Sequence, residues 1–334
     1  MTNRADSETG GESAGVGRTP NVPLTERDGV TLREEVRDWG ALDGDRATGW
    51  RDSVFSFRDY LRDKEDVATV FENGETGEQA SSSSPHRFAP EYADTQYAKL
   101  KDLERGIGEA YGKRLYTSML TFTASSTDDM GRPRPPVDHL DDLLESWDAI
   151  RRALDRVLEG RRWERLAILE PHKSGYAHIH MAVFVDGPVT TTTFEPVIEA
   201  HVRNCEAAEW DAHDLDDDST ISVRHAGADR DLDDDEVLDE LAIYLAEYLG
   251  TYGEDPREEP AHVQAFNAVL WATGRQRWRP SNGAQKYMAT EPREGASKWE
   301  MVGVEVDGEF MAADPENGGV DRFTTGTDPP LGGQ

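Results

Sequence analysis

The chain has 334 residues, a formal net charge of −31 and a single cysteine, Cys205. That length supports one large domain or two small ones, and a lone cysteine excludes an intrachain disulfide and fits a reducing cytoplasm. No apolar run approaches the ~18 residues of a membrane span, and the N-terminus lacks the apolar core of a signal peptide.

Only seven of the 36 basic residues are lysines, and acids are spread along the whole chain. This composition suits a protein built for molar salt. There the Debye length shrinks to about 3 Å and self-repulsion is screened. The expected setting is the cytoplasm of a halophile.

Residues 1–28 are rich in Gly, Ser, Thr and acids and read as a disordered tail. Residues 29–110 read as a mostly helical N-terminal region, with a Ser-rich linker at 78–90. The segment Leu115 to Ser125 (LYTSMLTFTAS) is β-branched and aromatic and reads as a strand. After a Pro-rich loop, His139 to Glu159 repeats apolar residues at i, i+3, i+4 and i+7 and reads as one amphipathic helix. Gly106 to Lys113 (GIGEAYGK) is out of register for a phosphate-binding loop and is followed by Arg114 instead of Ser or Thr.

The segment Glu170 to Asp186 (EPHKSGYAHIHMAVFVD) carries the strongest chemical signal. Arg165 to Glu170 and His178 to Val185 read as strands joined by a polar turn, a hairpin. Side chains alternate along a strand, so His178 and His180 share a face about 7 Å apart. The hairpin partner brings Glu170 across to them. Two imidazoles and a carboxylate on one rigid surface make a three-ligand divalent metal site with open positions. The bland alternative is a pair of half-exposed polar residues.

Val189 to Ala208 reads as a helix and Ser219 to His225 as a short strand. Asp233 to Tyr252 reads as a strong helix, opened by acids that suit its dipole. It carries Tyr244, Tyr248 and Tyr252 at a spacing of four, on or near one face. An aromatic core stripe is one reading of them, hydroxyl nucleophiles another. Residues 261–272 read as helical. The stretch 271–288 contains no acid and interleaves Arg275, Arg277, Arg279 and Lys286 with Trp278 and other aromatics. Residues 274–288 read as a basic loop, and the whole stretch suits single-stranded DNA, through phosphate contact and base stacking. Residues 303–334 read as an acidic disordered tail.

The order strand, helix, hairpin, helix, strand, helix predicts an α+β fold. It is an antiparallel sheet with helices packed on one face, ferredoxin-like in plan. On these motifs the chain resembles HUH endonucleases of the rolling-circle replication-initiator type, most closely the plasmid and virus replication proteins of haloarchaea. Leu120-Thr121-Phe122-Thr123 matches the family's FTLT-type strand. Gly175-Tyr176-Ala177-His178-Ile179-His180 matches its His-hydrophobe-His motif. Tyr244-Leu245-Ala246-Glu247-Tyr248 matches its tyrosine helix, with Glu247 where many members carry Lys. The resemblance covers roughly 115–290, and the catalytic domain is expected over 111–290.

The resemblance implies Mg²⁺ or Mn²⁺ held by His178, His180 and Glu170. It implies Tyr244 as nucleophile and Tyr248 as its alternate. The substrate it implies is a single strand at a replication origin, cut through a 5′-phosphotyrosine, with a host helicase and polymerase as partners. The rival readings are an HUH-type transposase, a zinc-dependent hydrolase built on the same His and Glu, and a non-catalytic DNA-binding regulator.

Overall fold

The computed structural model describes residues 42–43, 46–47, 50–65, 67–83, 86–228, 255–288, 298–306 and 308–312. A two-residue ladder, β1 (Leu42–Asp43) with β2 (Arg46–Ala47), precedes helix α1 (Trp50–Glu65). Strands β3 (Val67–Asn73) and β4 (Gln79–Ser83) and helix α2 (Pro90–Tyr111) follow. Then come β5 (Leu115–Phe122), α3 (Pro136–Glu145), α4 (Trp147–Val157), β6 (Trp163–Pro171) and β7 (Ala177–Asp186). The described chain continues through α5 (Thr191–Asn204), β8 (Ile221–Arg224), α6 (Ala261–Thr273), β9 (Trp278–Pro280) and α7 (Asn282–Tyr287). It ends in β10 (Trp299–Val306) and β11 (Glu309–Ala312).

The central sheet has the order β8-β5-β7-β6-β9, and every neighbouring pair is antiparallel. Without β9, the strands run fourth, first, third, second. The helices α3 and α4 cross from the first to the second strand and α5 from the third to the fourth. This is the expected ferredoxin-like βαββαβ plan, with β9 added at one edge. The histidine strand β7 is the middle strand of five, buried on both faces, which is why its second half reads as a continuous apolar run (MAVFV) instead of alternating.

Both faces of the sheet are covered, not one. On one face Leu120, Phe122, Leu169, Met181 and Val183 pack against Leu143, Ile150, Phe194 and Phe266 of α3, α4, α5 and α6. On the other, Leu115, Leu166, Ile168, Ala182 and Phe184 pack against Leu100, Leu103 and Ile107 of α2. The N-terminal region supplies this second layer, which the hairpin pattern alone does not reveal.

The single helix expected over 139–159 is two helices, broken at Ser146. The buried Ser146 hydroxyl lies 2.7 Å from His201 Nδ1 and 3.2 Å from the Leu143 carbonyl, a local side-chain competitor to the helix ladder. A second, antiparallel sheet has the order β11-β10-β3-β4 and joins N-terminal to C-terminal segments. It corrects two boundaries. Residues 79–83 of the expected linker form β4, and residues 303–306 and 309–312 of the expected tail lie in β10 and β11. Strands β4 and β11 are exposed and held by backbone pairing with a neighbour, so their side chains carry no burial pattern to read. The expected basic loop at 274–288 likewise contains β9 and α7. A three-residue edge strand is too short to show a period. The expected tail at 1–28 and the tyrosine helix at 233–252 lie outside the described residues.

Candidate metal centre and its surroundings

The ladder between β6 and β7 sets Glu170 opposite His178 and Ile168 opposite His180. On the other side of β7, Thr121 of β5 is opposite His180. Glu170, His178, His180 and Thr121 therefore share the face that α2 covers further along. The turn between the strands closes with the Gly175 N–H donating to the His172 carbonyl at 2.8 Å and the His172 N–H to Tyr176 at 2.8 Å. Gly175 sits at φ 87°, a left-handed conformation that a side chain would strain.

Three donor atoms converge there. His178 Nε2 and His180 Nε2 are 2.9 Å apart, and Glu170 Oε2 lies 3.6 Å from the first and 3.5 Å from the second. Ligands about 2.0–2.2 Å from a cation stand roughly 3.0–3.5 Å from one another in tetrahedral or octahedral shells. The triangle has that size. Glu170 is 3 % exposed and His178 9 %. Glu170 Oε1 and His178 Nδ1 are buried without a hydrogen-bond partner. A buried carboxylate left in this state is costly unless it is paired or binds a metal.

The electrostatics agree with a site made for a cation. Burial lifts the Glu170 carboxyl to about 8, opposed by the charge of Arg277. Burial first, then the neighbouring His180, His172 and His139, pull His178 down to about 2. Burial and His172 pull His180 down to about 4. Both imidazoles are thus neutral at physiological pH, the state in which nitrogen lone pairs can bind metal. His180 Nδ1 lies 3.1 Å from the Thr121 hydroxyl, which holds the ring's tautomer and angle. The donor set of two imidazoles and one carboxylate accepts Mg²⁺, Mn²⁺ or Zn²⁺ alike.

The residues expected to touch DNA do not form one surface. Arg277 is buried, lies over the Phe266 ring at 5.5 Å and sends its charge toward Glu170. Trp278 is in the core on the α2 face. Arg279 lies over the Trp147 ring at 5.1 Å, Arg275 pairs with Asp141 at 3.2 Å, and Lys286 is exposed on α7. Tyr244 and Tyr248 lie outside the described residues.

Cys205 is buried, its thiol pushed up to about 11 by that burial, which suits a structural residue. Three histidines grip the end of the FTLT-type strand. His201 Nε2 donates to the Thr123 carbonyl at 2.8 Å and His139 Nε2 to Ala124 at 3.1 Å. The Thr123 N–H donates to His213 Nε2 at 3.1 Å. Sequence spacing does not find these partners, because each comes from a different helix or loop. Thr121 is also absent from the expected site, although its place in the FTLT-type motif was a usable signal.

Among the described residues no helix is long and apolar enough to cross a membrane. The family "Putative rep protein (DUF1424)" matches residues 24–333. An "Uncharacterized 36 kDa protein" of Halobacterium salinarum is 46 % identical over 321 residues, covering 93 % of this chain and 100 % of its own length. A protein of the same description from Halobacterium sp. (strain GN101) is 43 % identical over 323 residues, covering 91 % of this chain and 97 % of its own. No solved structure is significantly similar to the chain. With nearly its whole length matched, the chain belongs to the family described as "Putative rep protein (DUF1424)".

Proposed function

We propose that this protein is a replication initiator of the HUH type, which nicks a single DNA strand at an origin and later rejoins it. The observation that carries the reading is the Glu170–His178–His180 triangle on the middle strand of a ferredoxin-like sheet. The family description supports a role in replication. The acid-rich, lysine-poor composition and the Halobacterium relatives support a salt-loving setting in the cytoplasm.

A divalent cation held by Glu170, His178 and His180 would neutralise and polarise the scissile phosphate. The chain's residues do the rest. Thr121 fixes the His180 ring, and the buried triangle excludes competing solvent ligands on its protein side. Tyr244 supplies the nucleophile. Its phenolic oxygen forms a bond to phosphorus, the phosphorus–O3′ bond breaks, and the leaving 3′-oxygen takes up a proton as the phenol loses one. The 5′-phosphate stays on the tyrosine, and the freed 3′-hydroxyl primes a polymerase. Attack by a 3′-hydroxyl on the phosphotyrosine reverses the step and reseals DNA. Tyr248 takes the same role in alternate turns. A host helicase supplies the unwound strand.

The test is a covalent adduct. The protein is incubated in molar KCl with Mn²⁺ and single strands tiling its replicon's origin, then run on a denaturing gel. An adduct that disappears in Tyr244→Phe supports the reading. The same three ligands also suit a zinc hydrolase that activates water. Cleavage that survives in the chain carrying both Tyr244→Phe and Tyr248→Phe assigns that chemistry instead.

A further inference from the structure

A cleft of about 730 Å³ opens at the β9 edge of the central sheet, within the size range of small-molecule sites. Its walls come from α4, β6 and β9. The Arg165 guanidinium lies 4.7 Å from the centroid of the Trp147 ring, and that of Arg279 lies 5.1 Å from it. Arg165 Nη1 donates to the Arg279 carbonyl at 3.0 Å. Among the described residues neither guanidinium has a carboxylate within ion-pair distance, and Arg279 Nε is buried without an acceptor.

This arrangement is costly for the protein alone. Burial, then the charge of Arg151, pulls Arg165 down to about 10. Burial, then Arg275 and Arg165, pulls Arg279 to about 10. Both stay protonated at neutral pH, so like charges are held together, partly desolvated, at the wall of the cleft. The chain has 67 acidic and 36 basic residues. Asp155 and Glu164 reach the cleft and their charges partly offset that of Arg165, but neither stands within ion-pair distance of it, and Glu164 accepts a hydrogen bond from Ser281. Trp163 adds a second half-buried aromatic wall. Gln276, Asn282 and Gln285 line the cleft with amides that can both donate and accept.

We propose that this cleft binds one unpaired nucleotide of single-stranded DNA, its phosphate on Arg165 and Arg279, its base against Trp147 and Trp163. The amides of Gln276, Asn282 and Gln285 then meet the base edge. Cations beside aromatic faces are the chemistry that single strands recruit. The inference rests on the reading that the protein acts on a single strand. It adds a place: five residues along β6 from Glu170, about 17 Å, and on the opposite face of the sheet. The cleft therefore holds a nucleotide away from the scissile phosphate and sets the register of the strand.

The experiment omits divalent metal, so it reads binding and not cutting. The full chain is mixed in molar KCl and EDTA with a mixed-base single strand carrying 5-iododeoxyuridine, irradiated, and its peptides mapped. The expected adducts are on Trp147 or Trp163, a result that needs no substitution. Affinity for the same strand should fall about 10-fold in Trp147→Leu and in Arg279→Gln, with little change for a duplex. Adducts confined to other surfaces, together with unchanged affinity in both variants, overturn the proposal. So does a free deoxynucleoside triphosphate that binds as tightly as the strand. Set beside the separate Mn²⁺ cutting assay above, cutting that proceeds normally without the cleft adduct overturns this inference alone. The cleft adduct without any cutting keeps this inference and overturns the nicking reading.

Discussion

The Thr121 hydroxyl lies 3.1 Å from His180 Nδ1, directly across the β5–β7 ladder. This contact ties the FTLT-type strand to the histidine strand through one side chain. With Nδ1 engaged there, His180 turns Nε2 toward His178 and Glu170. Partners of this kind typically tune metal affinity by roughly 10–100-fold. Thr121→Val keeps the shape and removes the hydroxyl, so Mn²⁺ affinity measured by calorimetric titration should drop by about that factor. Thr121→Ser should restore most of it. Equal affinity in all three proteins would remove Thr121 from the site.

Glu170 makes a different prediction. Its carboxyl is buried and one oxygen has no hydrogen-bond partner. In the metal-free protein it is a burden, so Glu170→Gln should melt no lower than the parent in EDTA. With Mn²⁺ present the parent should gain stability by mass action and the variant should gain almost none. Paired calorimetric scans, with and without metal, check both halves. A variant that is stabilised by metal as much as the parent would show that Glu170 is not a ligand.

Much of this was legible in the sequence, for identifiable reasons. The βαββαβ order follows from periods that change between two and 3.6, and the hairpin follows from a polar turn between apolar runs. The Glu170–His178–His180 cluster follows from alternation, which sets the two histidines on one face, and from the hairpin, which brings Glu170 opposite them. What the sequence concealed depends on distant partners. Strand β4 (QASSS) pairs through backbone groups that every residue carries. Ser146 breaks a helix by meeting His201, 55 residues away. Arg277 and Arg279, two apart in the chain, have unlike surroundings because neighbouring elements differ: Phe266 beside one and Trp147 beside the other.

Those surroundings divide the basic segment into separable roles. Arg277 is buried against the Phe266 ring, whereas Lys286 is exposed on α7. Lys286→Gln should flatten the dependence of log affinity on log salt by about one phosphate contact. Arg277→Gln should leave that slope unchanged and instead strengthen Mn²⁺ binding above pH 8, where Glu170 is already ionised, because it strips a charge that repels the cation. Fluorescence anisotropy with a labelled single strand over a KCl series reads the first effect, and metal titration reads the second. A reversed pattern would place Arg277 on the DNA surface.

The histidine grip on β5 predicts how the fold responds to acid. Burial pulls His201 and His139 down to about 4 from an ordinary 6.5, in each case against a backbone hydrogen bond that pulls the other way. The unfolded chain therefore binds more protons than the folded one between pH 6.5 and 4, and stability falls as pH falls through that window. Each group contributes on the order of a few kcal/mol once pH is well below 6.5. His201 Nε2 already donates to Thr123, and its Nδ1 lies 2.7 Å from the Ser146 hydroxyl, which also donates to the Leu143 carbonyl, so protonation would bury a charge among neutral groups. In molar KCl the melting temperature should drop steadily from pH 7 to pH 5, with proton uptake on unfolding measurable by calorimetry in buffers of different ionisation enthalpy. A melting temperature flat across that range would mean that these histidines titrate freely in the folded protein.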